Sequence, residues 1–425
     1  MPSSTAVQLR ELLETLLQSP LPVRLRAWDG SETGPSGTPV LIVRNRRALR
    51  RLMWRPDELG LARAYVSGDL DVAGDLYEAL GRLTALIFRG ADAQGLPKRA
   101  VAAQLLRLGI LGPQPKPPPE EITMRGSRHT RRRDSQAISH HYDVGNDFYR
   151  IVLGASMVYS CAYWTGTDAG YELADAQRDK LDLICRKLGL EPGMRLLDVG
   201  CGWGGLALHA AREYGVDVVG ITLSAEQADY ARKQVAEAGL TAHVEIRVQD
   251  YRDLDDGPFD AISSVGMAEH VGSGPYADYA AILFRQLAPG GRLLNHQIAA
   301  IHPATVGRKK RRSFIDSYVF PDGELAPLGT TVSVLEQAGF EVRDVQALRE
   351  HYARTLRAWV ANLEAKWSTV VRLSGAGRAR VWRLYMVASA MAFEQGRIGV
   401  NQVLCVKARR DGTSDMPPTR RAWLA

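Results

Sequence analysis

The chain has 425 residues, 45% hydrophobic and 24% charged, with a formal net charge of +7 and four cysteines, an ordinary globular balance with room for two or three domains and a sizeable core. No apolar run reaches the roughly 20 residues that a membrane-spanning helix needs, and the opening MPSSTAVQLRELLETL reads as an amphipathic helix carrying acids, not a signal peptide. Cys161, Cys185, Cys201 and Cys405 form no C-x-x-C pair, so neither a disulfide framework nor a zinc site is expected, and a reduced, cytoplasmic protein is.

In chain order, residues 1 to 111 predict a small α+β unit. It has a helix over about 5 to 18, strands around PVRLRAWDG and PVLIVRN, and helices around ELGLARAYVSG and LYEALGRLTALIF. GPQPKPPPEE (112 to 121), with five prolines in ten residues, reads as a stiff, extended linker that continues through a basic stretch to 136. From 137 to 408, the strand patterns MRLLDVG, VDVVGITL, HVEIRVQD, FDAISSVG and GRLLNHQIA alternate with helical ones. That alternation predicts an α/β domain, a mostly parallel doubly wound sheet with helices on both faces. A helix pair, roughly 352 to 372 and 376 to 394, separates FEVRDVQAL from the closing NQVLCVKA and is well placed to roof the strand ends; residues 409 to 425 read as a loose tail. Positive charge gathers in RGSRHTRRR (125 to 133) and RKKRR (308 to 312). Either run suits anionic phospholipid, where each Lys or Arg is worth on the order of 1 kcal/mol, or nucleic acid, or a solvated loop.

The stretch LLDVGCGWGGLALHAA (196 to 211) carries the chemistry. An apolar strand ends in Asp198, and Gly200, Gly202 and Gly204 follow at alternate positions before a helix. Glycines there let a ligand lie against the backbone at the carboxyl end of a strand. Gly200, Gly202 and Gly205 satisfy G-x-G-x-x-G, but the next strand ends in Ile221, Thr222 and Leu223 without the carboxylate that a dinucleotide ribose requires. A strand-end acid running into G-x-G instead matches the first motif of S-adenosylmethionine (SAM) methyltransferases.

VYSCAYW (158 to 164), LLDVGCGWGG (196 to 205), GITLSAEQ (220 to 227), SVGMAEHVG (264 to 272), NHQIA (295 to 299) and HYARTLRAW (351 to 359) follow in that order. In this the chain resembles the cyclopropane-fatty-acid synthase family, SAM-dependent enzymes that methylate the double bond of unsaturated acyl chains. The resemblance runs from about 137 to 408, and the unit before the linker resembles the amino-terminal domain of the phospholipid-acting members. It implies a Rossmann-like SAM methyltransferase domain with helical insertions. ELGLARAYVSGDLDV (58 to 72), VFPDGEL (319 to 325) and AFEQ (392 to 395) are most similar to the branch that places a methylene, later reduced to a methyl, in an oleoyl-type chain, as in tuberculostearic-type acids. Cyclopropane is the rival product. Two departures point toward the methylene branch: Ser389 stands where cyclopropane synthases carry cysteine, and Ala268 where they carry phenylalanine.

The resemblance implies a bound bicarbonate, held by the backbone around Cys161, by Glu269 and His296, by the backbone at Ile298 and by Tyr352. For SAM it implies Tyr159 and Ser160 near the methionine end and Asp198, Gly200 and Gly202 beneath it. Thr222, Leu223 and Gln227 would lie around the ribose, Asp250 and Tyr251 at the adenine, and His270 close by. Read without the resemblance, Glu269 with His270 is equally a helix-start pair, His296 a core histidine and Tyr352 a structural tyrosine; SFIDSYVF (313 to 320) is plain core as readily as acyl-tunnel lining. Adjacent histidines in HHYD (140 to 143) diverge without a third ligand, so no metal is expected. The N-P-P-Y type motif that holds a flipped base is missing, which argues against nucleic acid. Expected partners are membrane phospholipid at the inner membrane face, contacted peripherally, and a second copy in a homodimer, with the amino-terminal unit serving docking or dimerisation. A flavin- or NAD(P)H-dependent reductase is also expected, because reducing a methylene needs a hydride.

Overall fold

The computed structural model describes residues 3 to 424 except 88 to 97, 302 to 311 and positions 123, 125, 127 and 143. The chain divides into two compact units. One comprises Met1–Thr123, Lys310–Val319 and Ser374–Met391; the other comprises Met124–Lys309, Phe320–Leu373 and Ala392–Ala425.

The first unit is α+β. Strands β1 (Arg24–Arg26), β2 (Glu32–Thr33), β3 (Val40–Val43) and β4 (Leu70–Ala73) form a sheet in the order β2-β1-β3-β4, parallel only between β1 and β3. Leu9 and Leu12 of the first helix pack with Leu25, Val43, Leu49 and Leu70. The proline-rich stretch is strapped down, not a free spacer. Arg51 donates to the Lys116 carbonyl at 2.7 Å and Trp54 to that of Gly112 at 3.1 Å, and Arg63 grips both carboxylate oxygens of Glu121 at 2.7 and 2.6 Å. Two short segments placed in the methyltransferase domain by sequence, 310–319 and 374–391, belong to this unit. Helical periodicity marks an apolar face but not the surface it packs against, and contacts distant in sequence decide that.

The second unit carries a seven-stranded sheet of β5 (Arg195–Val199), β6 (Asp217–Thr222), β7 (Val244–Val248), β8 (Phe259–Val265), β9 (Leu287–Ala300), β10 (Glu341–Ala347) and β11 (Ile398–Val406), in the order β10-β11-β9-β8-β5-β6-β7. From β9 to β7 all neighbours are parallel; β11 runs antiparallel to both β9 and β10. Alternate residues feed opposite layers. Leu196 joins Val218, Ile246 and Leu294 beneath one set of helices, while Leu197 and Val199 join Ile221, Ile262 and Leu293 beneath the other. Strand order reverses at β5, and its carboxyl end is the switch point where doubly wound sheets bind ligands.

Two expectations change here. The tail is anchored: Trp423 is 4% exposed and packs on Leu183 and Leu404, and Arg420 pairs with Asp344. The first basic run is largely answered by acids of the same unit, Arg131 by Asp253 at 2.9 Å and Arg133 by Asp322 at 2.8 Å, with Arg128 also facing Asp322 at 3.2 Å. Of the second run, 308 to 311 lie outside the described residues, as does Asp143 of HHYD.

Candidate active site

The turn after β5 is a backbone cradle. Gly200 and Gly202 have φ of +78° and +56°, the left-handed region that a side chain makes costly. A Cβ on Gly200 would come within 3.3 Å of the Met267 sulfur, whereas one on Gly202 would meet nothing within 4 Å. That open space is part of a cavity lined by the strand-end residues Asp198, Val199, Ile221, Thr222 and Val265 together with the glycines. Every expected SAM residue lines it except Asp250: Tyr159, Ser160, Asp198, Gly200, Gly202, Thr222, Leu223, Gln227, Tyr251 and His270.

Asp250 is otherwise engaged. Its carboxylate caps the short helix Tyr251–Asp253 and accepts from Arg252 at 2.8 and 2.6 Å, and it is the preceding Gln249 that lines the cavity. Thr222 stays at the cavity wall, its hydroxyl donating to Gln227 Oε1 at 2.9 Å. Asp198 is buried and accepts from the Ser263 hydroxyl at 2.8 Å. Burial pushes it up to about 6, against the pull of Ser263 and of Lys180.

A second cluster forms where β9 meets the helix Ala268–Val271. Glu269 Oε1 accepts from the Ile298 amide at 2.7 Å, while Oε2 is buried without a protein partner. Burial pushes this carboxyl up to about 7. His296 lies two positions from Ile298 and so on the same face of β9. Gln402 Nε2 lies 3.3 Å from His296 Nδ1, and Nε2 of the ring is buried without a protein partner. Burial pushes the ring down to about 3, so it is neutral near pH 7. Hydrogen bonds through Leu348 link Cys161 and Tyr352 to the neighbouring strand β11, and no hydrogen bond joins either side chain to Glu269 or His296 among the described residues. Ile298 pairs with Val400, the Val400 carbonyl accepts from Leu348 N at 2.9 Å, and the Leu348 carbonyl accepts from Tyr352 N at 3.1 Å. The Cys161 thiol reaches the same Leu348 carbonyl at 3.7 Å. Burial holds that thiol well above its ordinary value, which disfavours a thiolate nucleophile. The Tyr352 ring packs on Phe393 and, edge-on, Trp359.

The family description "Mycolic acid cyclopropane synthetase" matches residues 129–403. The chain belongs to this family. It is an S-adenosylmethionine-dependent enzyme of the fatty-acyl methyltransferase and cyclopropane synthase class. Among its relatives, a "Probable fatty acid methyltransferase" of Mycobacterium tuberculosis is 43% identical over 95% of this chain and 94% of its own. A "Tuberculostearic acid methyltransferase" of the same organism is 32% identical over 94% and 91%. The crystal structure of a mycolic acid cyclopropane synthase complexed with SAH and CTAB superposes with a TM-score of 0.60 at 35% identity, covering 64% of this chain and 97% of that one.

The expected cofactor residues did not include Tyr142, Trp203, Gln249 or Lys180, all of which line the cavity, although Trp203 falls within the motif LLDVGCGWGG. Tyr142 meets Trp203 edge-on at 5.6 Å, and Trp203 is fixed by its indole donating to Asn146 Oδ1 at 2.7 Å. Lys180 was visible in principle: it falls four residues from both Ala176 and Ile184, on the apolar stripe of its helix, where a lysine is out of place. A buried polar chain also escaped notice: Tyr276 donates to Gln297 at 2.6 Å and Gln297 to Thr331 at 2.9 Å, bracing the other face of β9.

Proposed function

We propose that the protein transfers a one-carbon unit from SAM to the cis double bond of phospholipid-bound, oleoyl-type acyl chains and releases a methylene-branched chain, the precursor of a 10-methyl fatty acid. The observation that carries this reading is the pair of partnerless buried atoms, Glu269 Oε2 and His296 Nε2. A buried carboxyl oxygen and a buried ring nitrogen that both lack a protein partner, the ring two positions along β9 from the amide that holds Glu269, suit a small anion bearing its own proton. Bicarbonate fits that donor set, and when bound it supplies a proton acceptor small enough for a crowded apolar site.

The cradle at Gly202 and the floor at Asp198 suit SAM, which supplies a methyl on a positively charged sulfur. An alkene is a weak nucleophile, so positioning supplies much of the rate. Methyl addition to one alkene carbon leaves the neighbouring carbon cationic. A hydride shift from the methylated carbon to that neighbour, followed by proton loss from the new methyl, gives the exocyclic methylene. Direct proton loss with ring closure gives cyclopropane. Glu269 and His296 orient the acceptor in either case, and Glu269 takes up the proton. The full-length match to a tuberculostearic acid methyltransferase favours the methylene.

Mass spectrometry of acyl chains after incubation with SAM and oleoyl phospholipid tests the reading. A gain of CH₂ in a chain that still takes up hydrogen under mild conditions is expected. A hydrogen-resistant product means a ring, and no gain on any lipid rejects the assignment. The methylene product calls for a hydride-donating, flavin- or NAD(P)H-dependent reductase downstream.

Among the described residues no helix is long and apolar enough to cross a membrane, and peripheral contact at the inner face is the arrangement we favour. Its support lies in the amino-terminal unit. Met53, Trp54, Leu106 and Leu111 are exposed there, Trp54 at 55%. Trp54 bonds to Gly112, and Arg46 to Leu108 at 2.9 Å, which sets them along one edge with exposed Arg46, Arg47, Arg107 and Lys116. Apolar anchors rimmed by cations suit an anionic bilayer surface. Trp54→Ser combined with Leu111→Ser should weaken retention on anionic vesicles at least about tenfold, since each large side chain is worth about 1.5–3 kcal/mol when buried, and should leave SAM binding intact. Cosedimentation checks both the loss and its dependence on lipid charge.

A further inference from the structure

Among the described residues that line the cofactor cavity, Lys180 is the only lysine or arginine and Asp198 the only carboxylate. Both are buried, at 1% and 2% exposure. The Lys180 ammonium, with three donors, has one hydrogen bond, to the Ser160 hydroxyl at 2.8 Å. One turn earlier on the same helix, Leu173–Leu188, Gln177 donates to the Ser160 carbonyl at 3.0 Å and to that of Val158 at 3.4 Å. The helix therefore presents Lys180 to the cavity while holding the segment that carries Tyr159 and Ser160. Lys180 and Asp198 are near enough to act on each other electrostatically, yet neither neutralises the other in a direct ion pair. Burying an ammonium on one hydroxyl is costly unless a charged ligand completes the site.

The amino-acid end of SAM carries one carboxylate and one ammonium. We propose that Lys180 binds the cofactor's carboxylate, with Asp198 facing its ammonium, so that the buried lysine selects a complete methionyl group. This rests on the SAM reading of the cavity and is independent of the acyl product. Burial lowers Lys180 to about 8, and an incoming carboxylate restores the charge partner that burial removed.

Equilibrium binding of three ligands, SAM, decarboxylated SAM and 5′-methylthioadenosine, tests it. A buried charge-assisted contact is expected to make the wild-type enzyme bind SAM about 10- to 100-fold more tightly than decarboxylated SAM. Lys180→Met should erase that preference while affinity for the other two ligands moves by no more than about twofold. If Lys180 only holds the local fold together, all three affinities fall together, and that result overturns the proposal. So does an undiminished preference in the variant, or a wild-type enzyme that binds SAM and decarboxylated SAM alike. The wild-type comparison needs no variant, and Lys180→Gln serves if the methionine form does not fold. A wild-type enzyme that binds no SAM refutes the cofactor reading itself. Failure to methylate any lipid, with the preference intact, refutes only the acyl reading.

Discussion

Glu269→Gln should lower turnover by about 10²- to 10⁴-fold, the range for losing a positioned proton acceptor, while SAM affinity stays within about twofold. The substitution keeps volume and the acceptor for the Ile298 amide but removes the charge that receives the proton. Single-turnover methylation and SAM titration on the same preparation separate the two effects. The pH profile gives the sign. The carboxylate is the competent form, and burial raises its ordinary value to about 7. The wild-type rate should therefore rise as pH increases through about 7 and fall below it. With His296 lowered to about 3, its titration lies outside that window. In the glutamine variant the step near 7 should disappear. A retained rate, or a retained step, would place the proton acceptor elsewhere.

Gly202→Val should weaken SAM binding at least about 100-fold with a modest cost in stability. The space beyond Gly202 is empty of protein within 4 Å, so the new side chain enters the cavity without disturbing the core. Its backbone cost is the left-handed conformation at φ +56°, about 1–2 kcal/mol. Gly204→Val differs in kind, because a Cβ there comes within 3.0 Å of the Ala231 Cβ and forces helix packing to move. Calorimetry and thermal melting should therefore show Gly202→Val losing ligand with a near-native melt and Gly204→Val losing stability first. A Gly202→Val protein that still binds SAM tightly would remove the cradle from the cofactor site.

By itself, the sequence determined the elements whose cause is local. Apolar runs placed the strands of the larger unit and two of the four in the smaller one, β2 and β4 being missed; the glycine spacing after Asp198 placed the turn, and six ordered motifs named the family and most of the residues around the cavity. These are legible because strand periodicity, positive φ and motif spacing are written in neighbouring residues. Asp250 shows the limit: an acid after a strand resembles an adenine acceptor, but an arginine two positions on takes both of its oxygens, and geometry, not residue type, decides which partner wins.

Only the tertiary structure decided the rest. Glu269 meets the Ile298 amide across 29 positions of sequence, and the Cys161 thiol and Tyr352 amide share the carbonyl of Leu348. The same long-range contacts strap the proline-rich stretch to its own unit and answer the arginines near 130 with acids. They bury Trp423 of a tail that reads as loose, and they set Lys180 beside the cofactor cavity. The physical reason is common to all of these. Burial, charge pairing and the state of a titrating group depend on what the fold brings within a few ångströms, and no local pattern specifies those neighbours.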